Sequence, residues 1–561
     1  MTNSEIVDTA DPADAHQLFK KDDPEVRGLR RAFQLAGIFC VVMLILGLNR
    51  HFTFYTTYDQ GIFNQLFWNG IHGRFFQSSL SSVLSGAVVH DKQVPEVFYH
   101  RLGQHFDPIL LLWHPFYALA PNAATLVVLQ VLLVTAAGLV LYVLARQYLQ
   151  PPLAVMITAS YYGAIAVIGP TLSNFHDLSQ IPLFLFTLFL ALEKRWWWLF
   201  WLMAVFTVLA REDAGVLLFA IGLYLIFSRR HPWVGVGLCS LGFGYVMLAT
   251  NVFMPMFSRD ISQRFMIERF GHFASGDEAS TLDILWGILT NPLKLFSHIF
   301  SSLDKKIPYI LGQTLPLAFV PLISPSAWVL ISTPLAQLLL QGGESRFSIY
   351  IRYAITLVPG LFYGAILWWS VNQQRFRPRF RKIWIGFIIL SLIITVLKTP
   401  HRSLYFAVPE SVNPFVFVSL PRQWQHSTQV HSLIRQVPPD ASISGTTSVI
   451  PHISSRREVL RLPFLDVKTD QQQVVEVDYV LVDFWPLRQY LPAFSLERST
   501  FRAMVPMVEQ LVNEENRYGI QAIQDEAVLL KKGAPSQPGM LEQWQQLRQS
   551  YGPLLQDNDG K

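Results

Sequence analysis

Eleven apolar stretches reach or approach the roughly 20 residues that a helix needs to cross the hydrocarbon of a bilayer. They lie at about residues 32–49, 122–146, 152–169, 178–192, 196–210, 214–228, 233–256, 307–322, 325–341, 350–370 and 383–397. A chain with this many such segments reads as an α-helical integral membrane protein of about eleven transmembrane helices. Composition agrees: 51% of residues are hydrophobic and only 15% charged, against about 25% charged in a soluble domain. The formal net charge of +5 comes from short basic clusters beside the apolar stretches, a pattern of membrane topology and not of a nucleic-acid surface. The two cysteines, Cys40 and Cys239, sit inside apolar stretches, which gives neither a disulfide framework nor a cysteine metal site.

An odd number of spans puts the two ends on opposite sides. Lys20 to Arg31, Arg146, Lys194–Arg195, Arg229–Arg230 and "RFRPRFRK" at 375–382 all fall on the N-terminal side, which is therefore the cytoplasm. This assignment needs 196–210 and 214–228 to be two spans separated by "RED" at 211–213; one long helix would place Arg229 and Arg230 outside. Residues 1–31 are then a cytoplasmic tail, too polar for a cleaved signal peptide. Within the transmembrane region, 32–398, large outer loops run at about 50–121 and 257–306. Residues 399–532 form a small extracytoplasmic α/β domain, since "ASISGTTSV", "REVLRL", "EVDYVLVDF" and "YGIQAIQDEAVLLKK" alternate like strands and "FRAMVPMVEQLVNEENR" like a helix. No glycine-rich phosphate loop accompanies them. Residues 533–561 make a polar tail with at most one short helix.

Under this topology the polar oddities gather on the outer side. Asp59 and "GQHFDP", with His105 and Asp107, lie in the first outer loop. "NFHD", with His176 and Asp177, forms the next outer turn, "RED", with Arg211, Glu212 and Asp213, the one after, and "QGGESRFS" carries Glu344 and Arg346. An ionisable group costs about 2.5–3.5 kcal/mol at mid-membrane, so their accumulation near one interface marks a site. Carboxylates there can act as a base or hold a divalent cation, and Arg and His can hold phosphate. Simpler roles compete. Asp59 precedes an amphipathic segment, Ile62, Phe63, Leu66 and Phe67, ending at Gly70, the pattern of an N-capped helix lying on the membrane surface. Asp107 before Pro108 reads as a helix start, Asp177 as a cap, and His105 and His176 as interfacial hydrogen-bonding residues. "RWWWLFW" at 195–201 is an interfacial aromatic belt.

Asp59 after the first span, "HFDPILLLWHPFYALAPNAATLVVLQ", "NFHD", "RED", "DASISGTTSVIPHISSRREVLRLP" and "VDYVLVD" together resemble a bacterial multi-pass membrane family of unknown function grouped with the GT-C glycosyltransferases. The resemblance covers nearly all of residues 32–485. It implies a sugar donor carried on polyprenyl phosphate, inverting transfer on the outer face to an envelope glycan or protein acceptor, and membrane lipids as partners. It also implies a catalytic aspartate in the first outer loop, the position of Asp59, with Phe63 and Phe67 seating that loop in lipid. A second acidic site falls to Asp177, Glu212 or Asp213. Arg211, Arg346 and Arg352 are placed to receive the departing phosphate, and His105, Asp107 and His176 to contact donor or acceptor. Some GT-C enzymes use a divalent cation, but the separated acids here define no metal motif. The rival readings are a transporter or flippase for a lipid-linked or anionic solute, which would put its polar groups at midplane and often shows an inverted repeat, and a non-catalytic scaffold.

Overall fold

The computed structural model describes residues 23–260, 267–273, 281–343 and 347–556. Helix α1, Pro24–Phe52, starts ahead of the first apolar stretch because Asp23 accepts the Glu25 N–H at 2.9 Å and Pro24 fills the first helical position. Arg27, Arg30 and Arg31 are thus a helical prefix, and residues 1–22 of the expected tail lie outside the described residues. On α1, Ala32, Ala36, Phe39 and Met43 are buried whereas Phe33, Ile38 and Ile45 are more than half exposed. The 378–398 helix repeats the arrangement with polar groups turned inward. Trp384 donates to Ser160 Oγ and the Pro316 carbonyl, both at 2.9 Å, and Ser391 to the Gly163 carbonyl at 2.8 Å, while Ile383, Ile389 and Ile393 face outward. Apolar outside and hydrogen-bonded inside is what hydrocarbon as solvent demands.

Among the described residues, five helices are long and apolar enough to cross a membrane, six if Pro151–Tyr162 and Ile165–Leu172, bent by 43°, form one broken span. Trp197–Leu209 and Gly215–Phe227 are separate helices with Arg211–Asp213 in the break. The stretch 307–322 is not one helix: Leu303–Thr314 gives way to 3₁₀ turns at Leu315–Leu317 and Val320–Ile323, with Ala318 and Phe319 left-handed. Pro308, Pro316 and Pro321 account for the interruption. The basic clusters meet at one end of the bundle. Arg146 pairs with Glu25, Arg230 with Glu193 at 2.8 Å, and Gln373 donates to the Tyr148 carbonyl at 3.0 Å.

At the opposite end sits the C-terminal α/β unit. Strands β1 (Ile443–Gly445), β2 (Val459–Arg461), β5 (Tyr479–Asp483), β6 (Tyr518–Gln524) and β7 (Ala527–Lys532) make one sheet in the order β2-β1-β5-β7-β6. Its β2-β1-β5 half is parallel and its β5-β7-β6 half antiparallel; β3 (Asp466–Lys468) and β4 (Val474–Glu476) form a separate hairpin. β5 is buried on both faces, as a central strand must be. Alternation sends Ile443, Leu481 and Leu529 toward the helical bundle and Val480, Val482 and Leu530 toward Phe501 and Trp544. Trp544 and Tyr551 of the helix Met540–Gln556 dock on that far face, so much of the expected polar tail is packed.

Helix α2, Tyr58–Ile71, corrects the expectation of a surface helix. Phe63 and Phe67 are buried, packed on Phe175 and sharing a core with Ile443 and Leu481; they do not seat the loop in lipid. Its amides explain why. Gln60 bonds the Ala123 carbonyl at 2.8 Å and accepts from the Phe175 N–H at 2.7 Å, and Asn64 donates to Ser454 at 2.8 Å. Every face of α2 therefore has a partner, in the bundle or in the α/β unit.

Candidate functional site

α2 begins at Thr57, whose side chain makes no capping bond, and Asp59 does not cap it either. The Asp59 carboxylate instead takes Arg352 Nη1 at 2.6 Å. Burial alone would raise its pKa, but the Arg352 guanidinium overcomes that and holds Asp59 below the usual carboxylate range. The side chain, 38% exposed, lines a cavity of about 240 Å³ together with Arg101, His105, Asp177, Arg211, Arg269 and Arg352. Four guanidiniums against two carboxylates make this lining suited to an anion.

The charged groups around the cavity hold one another in place. Arg211, 2% exposed, approaches Glu212 at 3.5 Å and Asp213 at 3.1 Å, and Gln337 donates to Asp213 at 2.9 Å. Glu212 bonds His105 Nδ1 and the Phe106 N–H, each at 3.1 Å. Burial, with Arg101 and Arg211 near, keeps His105 well below its ordinary range and so neutral. Asp107, fully buried, does not cap the turn it precedes; it lies 3.5 Å from Arg101 Nε. Burial pushes its pKa up to about 7 despite that guanidinium. Asp177 both accepts its neighbour's Leu178 N–H at 2.9 Å and faces the cavity. His176 is buried outside the lining, its Nε2 3.3 Å from the Pro170 carbonyl. Arg346 and Glu344 lie outside the described residues. No group of three His, Cys, Asp or Glu side chains able to hold a metal ion occurs among the described residues.

The sequence reading missed Arg101 and Arg269. One signal was available: both fall in loops expected on the outer side, where the positive-inside rule makes cations scarce. Arg269 also lines a second, apolar cavity of about 420 Å³ that starts at Glu212 and Asp213 and runs between α3 (Gly215–Phe227), α4 (Pro232–Leu248), α5 (Thr281–Thr290) and α6 (Pro325–Leu340). Phe243 and Leu285 of its lining are 49% and 37% exposed, so the groove opens toward the lipid-facing surface. Glycines set its floor. A Cβ on Gly215 would lie 2.3 Å from the Gly242 carbonyl oxygen, and one on Gly222 2.6 Å from that of Gly235, so only glycine lets α3 and α4 approach this closely.

The polar, arginine-rich chamber and the apolar groove thus share Arg269 at one end of the helical bundle. The crystal structure of ArnT from Cupriavidus metallidurans, a GT-C glycosyltransferase solved with undecaprenyl phosphate bound, superposes with a TM-score of 0.50 over 89% of this chain and 98% of that one, at 11% identity. The chain belongs to the family of predicted membrane proteins DUF2079, whose profile matches residues 50–529. No curated protein matches its sequence.

Proposed function

We propose that this protein is a membrane glycosyltransferase that moves a sugar from a polyprenyl-phosphate donor to an envelope acceptor on the extracytoplasmic face. The observation that carries the reading is the junction at Arg269, where the groove fit for an isoprenoid chain meets the chamber fit for its phosphate. Undecaprenyl phosphate is the ligand of the similarly folded ArnT. In the proposed reaction an acceptor hydroxyl attacks the anomeric carbon, its proton passes to Asp59, and the bond from that carbon to the phosphate oxygen breaks with inversion. The negative charge gained by the leaving phosphate is met by Arg352 and Arg269. Arg352 has two roles: paired with Asp59 it suppresses basicity, and when phosphate competes for it the carboxylate becomes a better proton acceptor. Arg211 and His105, fixed by Glu212, shape the chamber.

The test is Asp59→Asn in the full-length protein, with undecaprenyl phosphate binding and envelope glycans followed together. Turnover should fall about 10²–10⁴-fold, as for loss of a general base, with lipid phosphate still bound and lipid-linked sugar accumulating. An unchanged glycan profile at normal protein level would sink the reading.

A further inference from the structure

A second polar cavity of about 410 Å³ lies between the Arg50 end of α1 and the α/β unit. Its lining differs in kind from the arginine chamber. Hydroxyls come from Thr53, Thr57, Thr446, Thr447, Ser448 and Thr500, and aromatic walls from Tyr55, Trp485 and Tyr490. Most of its charges are paired, Arg402 with Glu497 and His426 between Asp483 at 3.2 Å and Asp525 at 2.8 Å, while Arg50 also lines the wall and donates to the His401 carbonyl at 3.0 Å and to Asn174. Asp483 is fully buried, faces this cavity, and its Oδ1 has no hydrogen-bond partner among the described residues. An unmet carboxylate oxygen in a buried wall is costly unless a ligand donates to it.

We infer that this cavity binds an uncharged saccharide, its hydroxyls donating to Asp483 and exchanging hydrogen bonds with the threonines and serine of the wall. A phosphate fits less well, because the unmet Asp483 Oδ1 calls for a donor and Glu497 shares the wall, whereas a polyhydroxylated ring supplies donors without a charge for these carboxylates to repel. The cavity also adjoins the chamber. Thr57 and Tyr58 line the one and Asp59 the other, and Asn174 Oδ1 ties the turn together by accepting from Arg50 and from the Thr57 N–H, both at 3.1 Å. Saccharide binding stands on the cavity alone; that this saccharide is the acceptor rests on the transferase reading.

The experiment is saturation-transfer NMR on the full-length protein in lipid nanodiscs with maltotriose, mannotriose and triacetylchitotriose as probes, and with undecaprenyl phosphate binding measured on the same samples. At least one trisaccharide should receive saturation from the wild-type protein. Thr447→Trp, which puts a bulky ring at an exposed rim position, should abolish the signal, and Asp483→Asn should weaken affinity about tenfold, the loss expected for a hydrogen bond to a charged group. Both variants should retain lipid phosphate binding. No transfer to any trisaccharide, or transfer unaffected by both substitutions, overturns the inference. Trisaccharide binding without lipid phosphate binding upholds it while removing the donor reading.

Discussion

Asp59 and Arg352 show how one contact sets the state of a reactive group. With its guanidinium gone, Arg352→Ala should bring the Asp59 pKa back up, since burial is then opposed by Arg101 without the stronger Arg352, and should weaken undecaprenyl phosphate binding about tenfold by titration calorimetry. His426 offers a separate check in the α/β unit. Burial lowers its pKa, but Asp483 and Asp525 more than reverse this, raising it from 6.5 to about 9. A histidine whose folded pKa is raised contributes stability that is complete below pH 6.5 and is lost as pH climbs through about 9. Melting temperature should therefore fall across that window, and His426→Asn should flatten the fall. Asp59, Arg211, Glu212 and Arg352 stand out in the sequence because charge beside a membrane span needs a reason, and the fold brings them together at one chamber. Arg101 and Arg269 were not, because a loop arginine looks like any solvated cation until the fold aims it inward. The pocket around Asp483 was invisible for a related cause: β5 reads simply as a buried strand, and its last carboxylate as a strand end.

Among the elements, those whose identity rests on local chemistry were readable. The break at "RED" was read from its three charges together with the sidedness of Arg229 and Arg230, and the strands of the α/β unit announced themselves by alternation. The interruption at 315–323 could have been anticipated from its prolines, but the apolar content masked it. α2 could not be placed from its own residues, since its partners lie as far as 390 positions away, as in the bond from Asn64 to Ser454. Its buried amides are the features an amphipathic surface helix would not need. The α3–α4 contact gives an element-scale test. Gly242→Leu forces apart two backbones that touch, so it should cost about 1–3 kcal/mol, an overpacking loss, read as a lower melting temperature. The same variant should reduce undecaprenyl phosphate binding, because Gly215 and Gly242 line the groove. Retained binding with an unshifted melting temperature would show that the helices do not meet there.

At the scale of the whole molecule, the fold divides chemistry by end: basic anchors and ion pairs such as Arg230–Glu193 at one, the arginine chamber, saccharide cavity and α/β unit at the other. If the basic end is cytoplasmic, reporter fusions after residues 60 and 420 should read as outside and a fusion after 230 as inside. A cytosolic signal at residue 60 would reverse the sidedness on which the donor mechanism stands.

The sideways mouth of the apolar groove, flanked by Phe243 and Leu285, carries a kinetic consequence. A substrate reaching the protein through that mouth travels by two-dimensional diffusion within a leaflet, so its effective concentration is a mole fraction and not a molarity. Adding inert detergent at constant amounts of protein and polyprenyl substrate should slow turnover in proportion to the dilution of the micellar phase. Adding buffer at a fixed acceptor concentration should leave it unchanged.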